Sequence, residues 1–123
     1  MRIILSGETE LRLQLGGPDL EIESTSPVIT FSPLHMLAAS LATCTYSVLL
    51  SWALPAGLEI EDLELVLNWE YVEDPYRVGS YDLLILWPSL PPNRREAAVR
   101  VSQYCTVKNT LAVPPRINIG LGS

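Results

Sequence analysis

The longest segment without a charged side chain limits the fold more than any other feature of this chain. Residues 32–55, SPLHMLAASLATCTYSVLLSWALP, contain no acidic or basic residue apart from His35. Ser32 followed by Pro33 is a typical helix start, because a serine oxygen caps a free amide and proline fits the first turn. A proline and a glycine just beyond the segment predict the end. We therefore expect one helix over about 33–54.

The surroundings of this helix follow from its composition. Twenty apolar residues could cross a bilayer, but the hydroxyl side chains and the lack of nearby Lys or Arg make a membrane span the weaker interpretation. A helix that is apolar all round is otherwise enclosed by protein. Small residues recur on it at three-and-four spacing: Ser40, Thr43, Ser47 and Ser51. Because this stripe lets another backbone approach closely, and 123 residues offer few covering elements, we predict a homodimer.

Alternating and helical periods predict the remaining elements of a single domain over 1–123. Three short alternating segments, RIIL, LRLQL and DLEIES, indicate a small antiparallel sheet before the helix. Residues 58–71 and the segment YDLLILW predict two further strands. An amphipathic second helix is expected over about 92–107 with Cys105 on its buried stripe. The tail PRINIGL has the pattern of a last strand.

Charge and composition exclude some classes of function. The formal net charge of −6 argues against a nucleic-acid partner, since binding to phosphates needs a basic surface. The first residues turn polar too soon for a secretory signal, so the expected location is the cytoplasm. Two cysteines 61 positions apart are too few for a disulfide framework and wrongly spaced for zinc. With a single histidine, no metal and no cofactor is expected.

Two motifs carry a resemblance to a known family. SPLHMLAASLATC resembles the central-helix motif of the OsmC and organic-hydroperoxide-resistance superfamily, and YCTVKNTL resembles the second-cysteine motif of the same family. The order of the predicted elements agrees over most of the chain. The resemblance implies an α+β fold, in which antiparallel sheets of an intertwined homodimer surround the buried central helices. It also implies a thiol peroxidase site at the subunit interface.

The resemblance assigns roles to the two cysteines. Cys44 would attack a hydroperoxide as a thiolate, and Cys105 would resolve the resulting sulfenic acid to a disulfide that a dithiol reductant reopens. Aromatic residues suggest an apolar wall, which suits an organic hydroperoxide better than a small polar oxidant. On composition alone, buried bystander thiols are the favoured interpretation of the two cysteines.

The group that activates Cys44 is less clear from the sequence. A thiol in the middle of an apolar helix has a raised pKa unless a positive group lies nearby. The resemblance implies an N-terminal arginine, for which Arg12 and Arg2 are the candidates, oriented by a glutamate near the start of the central helix. This chain has His35 in that region instead.

His35 could take the place of the glutamate only in one way. Nine residues separate it from Cys44, which is about 13 Å along a straight helix and half a turn in azimuth. His35 therefore cannot reach the Cys44 of its own chain and could serve only that of a partner, across an antiparallel helix pair. The alternative is an imidazole that forms local hydrogen bonds at the helix start.

Three functions stay open at this point. The first is a peroxidase that uses Cys44 and Cys105. The second is a non-catalytic or redox-sensing OsmC-like dimeric binding domain whose thiols are not peroxidatic. The third, a cysteine hydrolase or a purely structural role, lacks a Cys–His pair in reachable geometry.

Overall fold

A computed structural model describes all residues, 1–123, as one five-stranded sheet with three helices. The strands are β1 Arg2–Gly7, β2 Glu10–Gln14, β3 Glu21–Ser24, β4 Glu64–Val72 and β5 Arg77–Leu86. The helices are α1 Pro33–Ala53, α2 Arg95–Ser102 and α3 Thr106–Ala112, and a single 3₁₀ turn, Pro92–Arg94, precedes α2. The predicted α+β class is confirmed.

The sheet is mixed, with strand order β3-β1-β2-β4-β5. β1 pairs antiparallel with β2, β2 with β4 and β4 with β5, as the hairpin-like connections predict. β3 pairs parallel with β1, so the expectation of a purely antiparallel sheet is wrong for this strand. The connection from β2 crosses β1 and places β3 at the edge.

The core lies between one face of the sheet and α1. Leu11 and Leu13 of β2 face Leu67 and Leu65 of β4 in direct register, and all four are completely buried. Burying a leucine side chain contributes roughly 1.5–3 kcal/mol, so these two pairs are a main source of stability. Intervening residues such as Arg12 point to the opposite face, because side chains alternate along a strand.

One face of α1 is covered in this chain and another is not. Ala38, Ala42 and Leu49 are fully buried. Met36 and the serines of the small-residue stripe, Ser40, Ser47 and Ser51, are exposed. The helix meets the length and composition of a membrane span, a test that core helices of soluble proteins also pass. The expected burial on every side is therefore not reached within one chain.

The strand predicted over 58–71 begins later than expected, at Glu64. The preceding residues form turns, with the amide of Leu63 donating to the Ile60 carbonyl. The Asp62 carboxylate accepts hydrogen bonds from the Ser89 amide and hydroxyl, both at 2.6 Å. These hydrogen bonds hold Asp62 outside the sheet. This explains why the alternation of apolar and acidic residues in the sequence is interrupted at Asp62.

The helix predicted over about 92–107 is divided in two. The amide of Tyr104 bonds back to the Val101 carbonyl in a tight last turn, and Cys105 has an extended backbone. α3 then starts anew at Thr106. The Cys105 sulfur accepts the amide of Lys108 at 3.4 Å and so caps the N-terminus of α3. Cys105 therefore lies between two helices and not on the buried face of one continuous helix.

The predicted last strand is absent from the tail. Residues 114–123 form neither helix nor strand, and Ile117, Ile119 and Leu121 are 78%, 94% and 103% exposed. Their alternation is typical of a strand, but a strand needs a neighbour for its backbone hydrogen bonds. The segment has no neighbouring strand in this chain.

Candidate active site

The structure brings the two predicted redox cysteines together. Cys44 is half-buried in the middle of α1, whereas Cys105 is completely buried at the start of α3. Both are free thiols, and their side chains share a hydrogen bond. The division of the predicted second helix is what places Cys105 there, at an end where α3 packs against α1.

The pKa of Cys44 reflects two opposing effects. Burial raises the pKa of the Cys44 thiol, and the hydrogen bond with Cys105 lowers it. The backbone amides of Val107 and Thr106 also donate to the Cys44 sulfur and lower its pKa further. The hydrogen bonds outweigh burial, so this pKa lies below its ordinary value. Cys44 is therefore the more acidic thiol of the pair.

The pKa of Cys105 moves in the other direction. Burial is the largest cause of the raised pKa of Cys105, and its interactions with Cys44 raise it further. The amide of Lys108 and the hydroxyl of Thr45 oppose this rise. Of the two thiols, Cys105 is thus the one that keeps its proton to higher pH.

An open groove runs along one side of α1. It has a volume of about 950 Å³ and lies between α1, β5 and the two C-terminal helices. Twelve of its 19 lining residues are hydrophobic, among them Leu37, Leu41, Leu83 and Leu111. Thr45, next to Cys44 in sequence, lines the same groove. Neither cysteine lines the groove, and the lining residues closest to them in sequence are Thr45 and Lys108.

His35 lies at the N-terminus of α1 and is only 3% exposed. Its Nε2 is 3.0 Å from the carbonyl oxygen of Gly7, which can only accept, so Nε2 carries the proton. Nδ1 then accepts the amide of Ser32 at 3.3 Å, while the Ser32 hydroxyl accepts the amide of His35 at 3.2 Å. His35 takes the place that Glu or Gln has in a capping box. These are the local hydrogen bonds of the alternative interpretation.

The two candidate arginines point to the face of the sheet opposite the core. Arg12 forms an ion pair with Glu64, with 2.7 Å between Nη1 and Oε1. Arg2 donates to Gln14 and lies 3.9 Å from Glu23. Neither is among the groups that bond to Cys44 within this chain. The role of an arginine or of His35 from a partner subunit stays a prediction.

Sequence reasoning missed the groups that lower the pKa of Cys44. The resemblance pointed to a cationic side chain, but the donors are the backbone amides of Thr106 and Val107 at the start of α3. A helix that appears continuous has no free amides in its middle. The two β-branched residues directly after Cys105 were the available signal, since such residues are weak helix formers.

Comparison with known proteins identifies the fold. The family described as "OsmC-like protein" matches residues 25–120, which include both cysteines. No curated protein matches the chain.

Two solved structures are similar. One is an osmotic stress induced and detoxification response protein from Psychrobacter arcticus 273-4, with 22% identity and a TM-score of 0.62 over 68% of this chain. The chain covers 62% of that protein, less than two thirds. The other is an OsmC-like hydroperoxide resistance protein from Jannaschia sp. ccs1, with 21% identity and a TM-score of 0.57, covering 80% of this chain and 71% of that one. At these identities the two structures establish the fold alone.

Proposed function

The chain belongs to the OsmC-like protein family, and from this premise we propose that it is a thiol-dependent peroxidase that reduces organic hydroperoxides through Cys44 and Cys105. The observation that carries the proposal is the contact between the two thiols, in which the pKa of Cys44 is lowered and that of Cys105 is raised. An inert buried cysteine has a raised pKa instead.

In the first step Cys44 attacks the hydroperoxide. The thiolate sulfur forms a bond to the terminal peroxide oxygen, the O–O bond breaks, and the alkoxide leaves as an alcohol after taking up a proton. Cys44 becomes a sulfenic acid and is oxidised by two electrons, while the hydroperoxide is reduced. The half-buried position of Cys44 allows access, which complete burial would prevent.

In the second step Cys105 resolves the sulfenic acid. Its sulfur attacks the Cys44 sulfur, the S–O bond breaks, and the oxygen leaves as water with the proton of Cys105. The disulfide protects Cys44 from irreversible over-oxidation, and a dithiol reductant regenerates both thiols. A reducing compartment such as the cytoplasm would keep the pair in the free state.

The groove beside α1 supports organic hydroperoxides as the substrate class. Its mostly apolar wall would hold an alkyl or acyl chain, and the wall includes Thr45, the residue after Cys44 in the sequence. Hydrogen peroxide gains nothing from such a wall. We expect Cys44 to be oxidised faster by cumene hydroperoxide than by hydrogen peroxide, and the opposite order would contradict this assignment.

A homodimer is part of the proposal. Two observations support it: the exposed serine stripe of α1, and the strand-patterned tail with no strand beside it. A second copy of the chain would cover the stripe with its own α1 and offer a neighbour to the tail. Such a copy could also bring an arginine or His35 towards Cys44, as the resemblance implies.

The dimer can be tested by overpacking the stripe. Ser47→Phe adds a large side chain where α1 would meet its mate and should weaken association by roughly 1–3 kcal/mol. Glu70→Phe is the matched control, because Glu70 is exposed on β4, on the face of the sheet away from α1. Sedimentation at micromolar concentration should show a dimer for the wild type and the control. A monomeric wild type would end the homodimer proposal.

A second candidate function is a redox-sensing or binding domain that does not turn over hydroperoxide. One observation favours it: Arg2 and Arg12, the expected activating cations, lie on the far face of the sheet and interact with other groups. In that case the thiols would oxidise slowly.

Titration of thiols after one equivalent of organic hydroperoxide separates the two functions. The peroxidase should lose both thiols of each chain rapidly and gain one intramolecular Cys44–Cys105 disulfide, seen by mass spectrometry of peptides. Excess dithiothreitol should restore both thiols and permit repeated turnover. Persistence of both thiols would contradict the peroxidase and favour the binding domain.

A further inference from the structure

Lys108 connects the groove beside α1 with the thiol site. Its backbone amide donates to the Cys105 sulfur at 3.4 Å, and the same residue lines the groove. Because the amide is engaged by the sulfur, the exposed part of Lys108 is its side chain. A molecule that contacts Lys108 in the groove therefore lies one residue away from a cysteine of the site.

The charged residues that line the groove are all positive. They are Arg77 and Lys108, and no Asp or Glu lines it. This differs from the chain as a whole, in which 14 acidic residues outnumber 8 basic ones. The rest of the wall is mostly hydrophobic. An apolar wall with positive charge is complementary to an alkyl chain that ends in an anionic group.

The two cations of the groove differ in their bonds within the chain. Nη1 of Arg77 donates to the carbonyls of Glu73 and Pro75 at 3.1 and 2.8 Å, which holds the guanidinium at the turn between β4 and β5. The ammonium of Lys108 forms no ion pair, since both ion pairs of the chain are formed by other residues. A lysine ammonium has three donors, so Lys108 is the cation with donors for a ligand.

The groove and the serine stripe lie on different sides of α1. Leu37, Leu41 and Thr45 line the groove, whereas Ser40 and Ser47 belong to the stripe. At 100° per residue the two sets are about a third of a turn apart. A second copy that covers the stripe therefore approaches α1 from another direction than a ligand in the groove.

We propose that Lys108 gives the groove its preference for an anionic amphiphile: its ammonium binds the carboxylate of a long-chain acid while the alkyl chain lies on the apolar wall. Charge complementarity favours this occupant, because an uncharged chain leaves the ammonium without a partner. The inference rests on the proposed function only in that the bound acid would carry the hydroperoxide group that Cys44 reduces.

Binding of decanoate, decanol and acetate to the reduced full chain tests the proposal. Isothermal titration calorimetry, with each compound below micelle formation, should show one saturable site for decanoate, weaker binding of decanol and none of acetate. Decanol lacks the charge and acetate lacks the chain, so the three compounds separate the two contributions.

The matched variants are Lys108→Met, Lys108→Arg and Arg100→Met. Methionine keeps an unbranched side chain and removes the charge, so Lys108→Met should weaken decanoate binding about fivefold, the upper range for an exposed ion pair, and leave decanol within about twofold. Lys108→Arg keeps the charge and should bind decanoate like wild type. Arg100→Met changes the net charge equally at an exposed position of α2 outside the groove, and it should also bind like wild type.

A spectroscopic signature distinguishes direct contact from a structural role. Lys108 is the only lysine of the chain, so nitrogen-15 lysine labelling gives a single Nζ signal. Decanoate should shift this signal and decanol should not. An unshifted signal, unchanged decanoate affinity in Lys108→Met, or an equal loss in Arg100→Met would overturn the inference.

The outcome is independent of the peroxidase proposal, because decanoate oxidises no thiol. Absence of saturable decanoate binding would overturn the role of Lys108 and favour a second copy of the chain as the occupant of the groove, even if Cys44 reduces hydroperoxides. Conversely, decanoate binding that depends on the charge of Lys108 would support the inference in a protein whose thiols resist hydroperoxide.

Discussion

The N-termini of α1 and α3 satisfy their free amides in different ways. At α1 the acceptors are the hydroxyl of Ser32 and the imidazole of His35, which bond to each other's backbone amides. At α3 the acceptors are sulfur atoms: Cys105 accepts the amide of Lys108, and Cys44 accepts two amides from the first turn. The end of α1 is closed by groups of the same short segment, whereas the end of α3 is closed by its own N-cap cysteine and by a thiol from α1.

The N-terminus of α1 has a structural role, whereas that of α3 contributes to the reactivity of a thiol. Amides at a helix N-terminus stabilise negative charge, so their effect depends on whether the acceptor can ionise. The Ser32 oxygen and the His35 Nδ1 at α1 accept amides of their own segment and fix where the helix begins. The Cys44 sulfur can lose its proton, so equivalent donors at α3 lower its pKa.

The largest expected effect comes from removing the ionisable acceptor at α3. Cys44→Ser should abolish hydroperoxide turnover altogether, since serine does not form a comparable nucleophile. Consumption of cumene hydroperoxide with dithiothreitol as reductant measures this. Cys105→Ser is the control, in which Cys44 should still react once and then over-oxidise to sulfinic acid under repeated peroxide. Turnover in Cys44→Ser would assign the activity to another group.

The next effect is on stability and concerns α1. His35→Ala removes a buried ring that caps the helix and bonds to Gly7, and it should reduce the free energy of unfolding by about 2–4 kcal/mol. Urea unfolding of the reduced protein measures the loss. Ser32→Ala is the matched variant at the same end and should cost about 1 kcal/mol.

Neither variant at α1 should alter the pH midpoint of Cys44 alkylation if the two ends are independent within the chain. A shifted midpoint in His35→Ala, in a protein that remains folded, would instead support the partner-subunit role for His35. The measurement therefore decides between the structural role and the catalytic role of this residue.

The smallest expected effect follows from the cap at α3. Cys105→Ala removes both the N-cap of the helix and the donor to Cys44, so it should lower stability by about 1 kcal/mol and raise the pKa of Cys44. Cys105→Ser supplies an oxygen that can cap and donate, and it should preserve both properties better. Equal alkylation midpoints in the two variants would show that the Cys105 side chain does not set the pKa of Cys44.

Parts of the fold with local signals could be predicted from the sequence. The Ser32–Pro33 start and the uncharged run specify α1 to within one residue of its observed end at Ala53. The alternation in β1, β2 and β5 likewise predicts strands. The parallel direction of β3 depends on how the chain crosses β1, which no local pattern records. The tail has the pattern of a strand, yet pairing requires a neighbour that this chain does not provide.

The sequence likewise predicted part of the candidate site, namely its two cysteines, and not the backbone groups around them. The two motifs identify Cys44 and Cys105, and the structure places their thiols in contact. The break after Tyr104 was not predictable from helical periodicity, because the apolar spacing continues through it. As a result the amides of α3 that lower the pKa of Cys44 were not expected. They depend on how two helices meet, and hydrophobic spacing within one helix carries no such information.

The pH dependence of Cys44 alkylation in the reduced wild-type protein tests the central claim most directly. Iodoacetamide labelling over a range of pH, resolved by mass spectrometry of the peptide that contains Cys44, gives the apparent pKa of this thiol alone. The arrangement at α3 predicts a midpoint below the unperturbed value of ~8.5, so that reactivity rises and levels off before free cysteine does. A midpoint at or above that value would contradict the account and leave Cys44 an inert buried thiol.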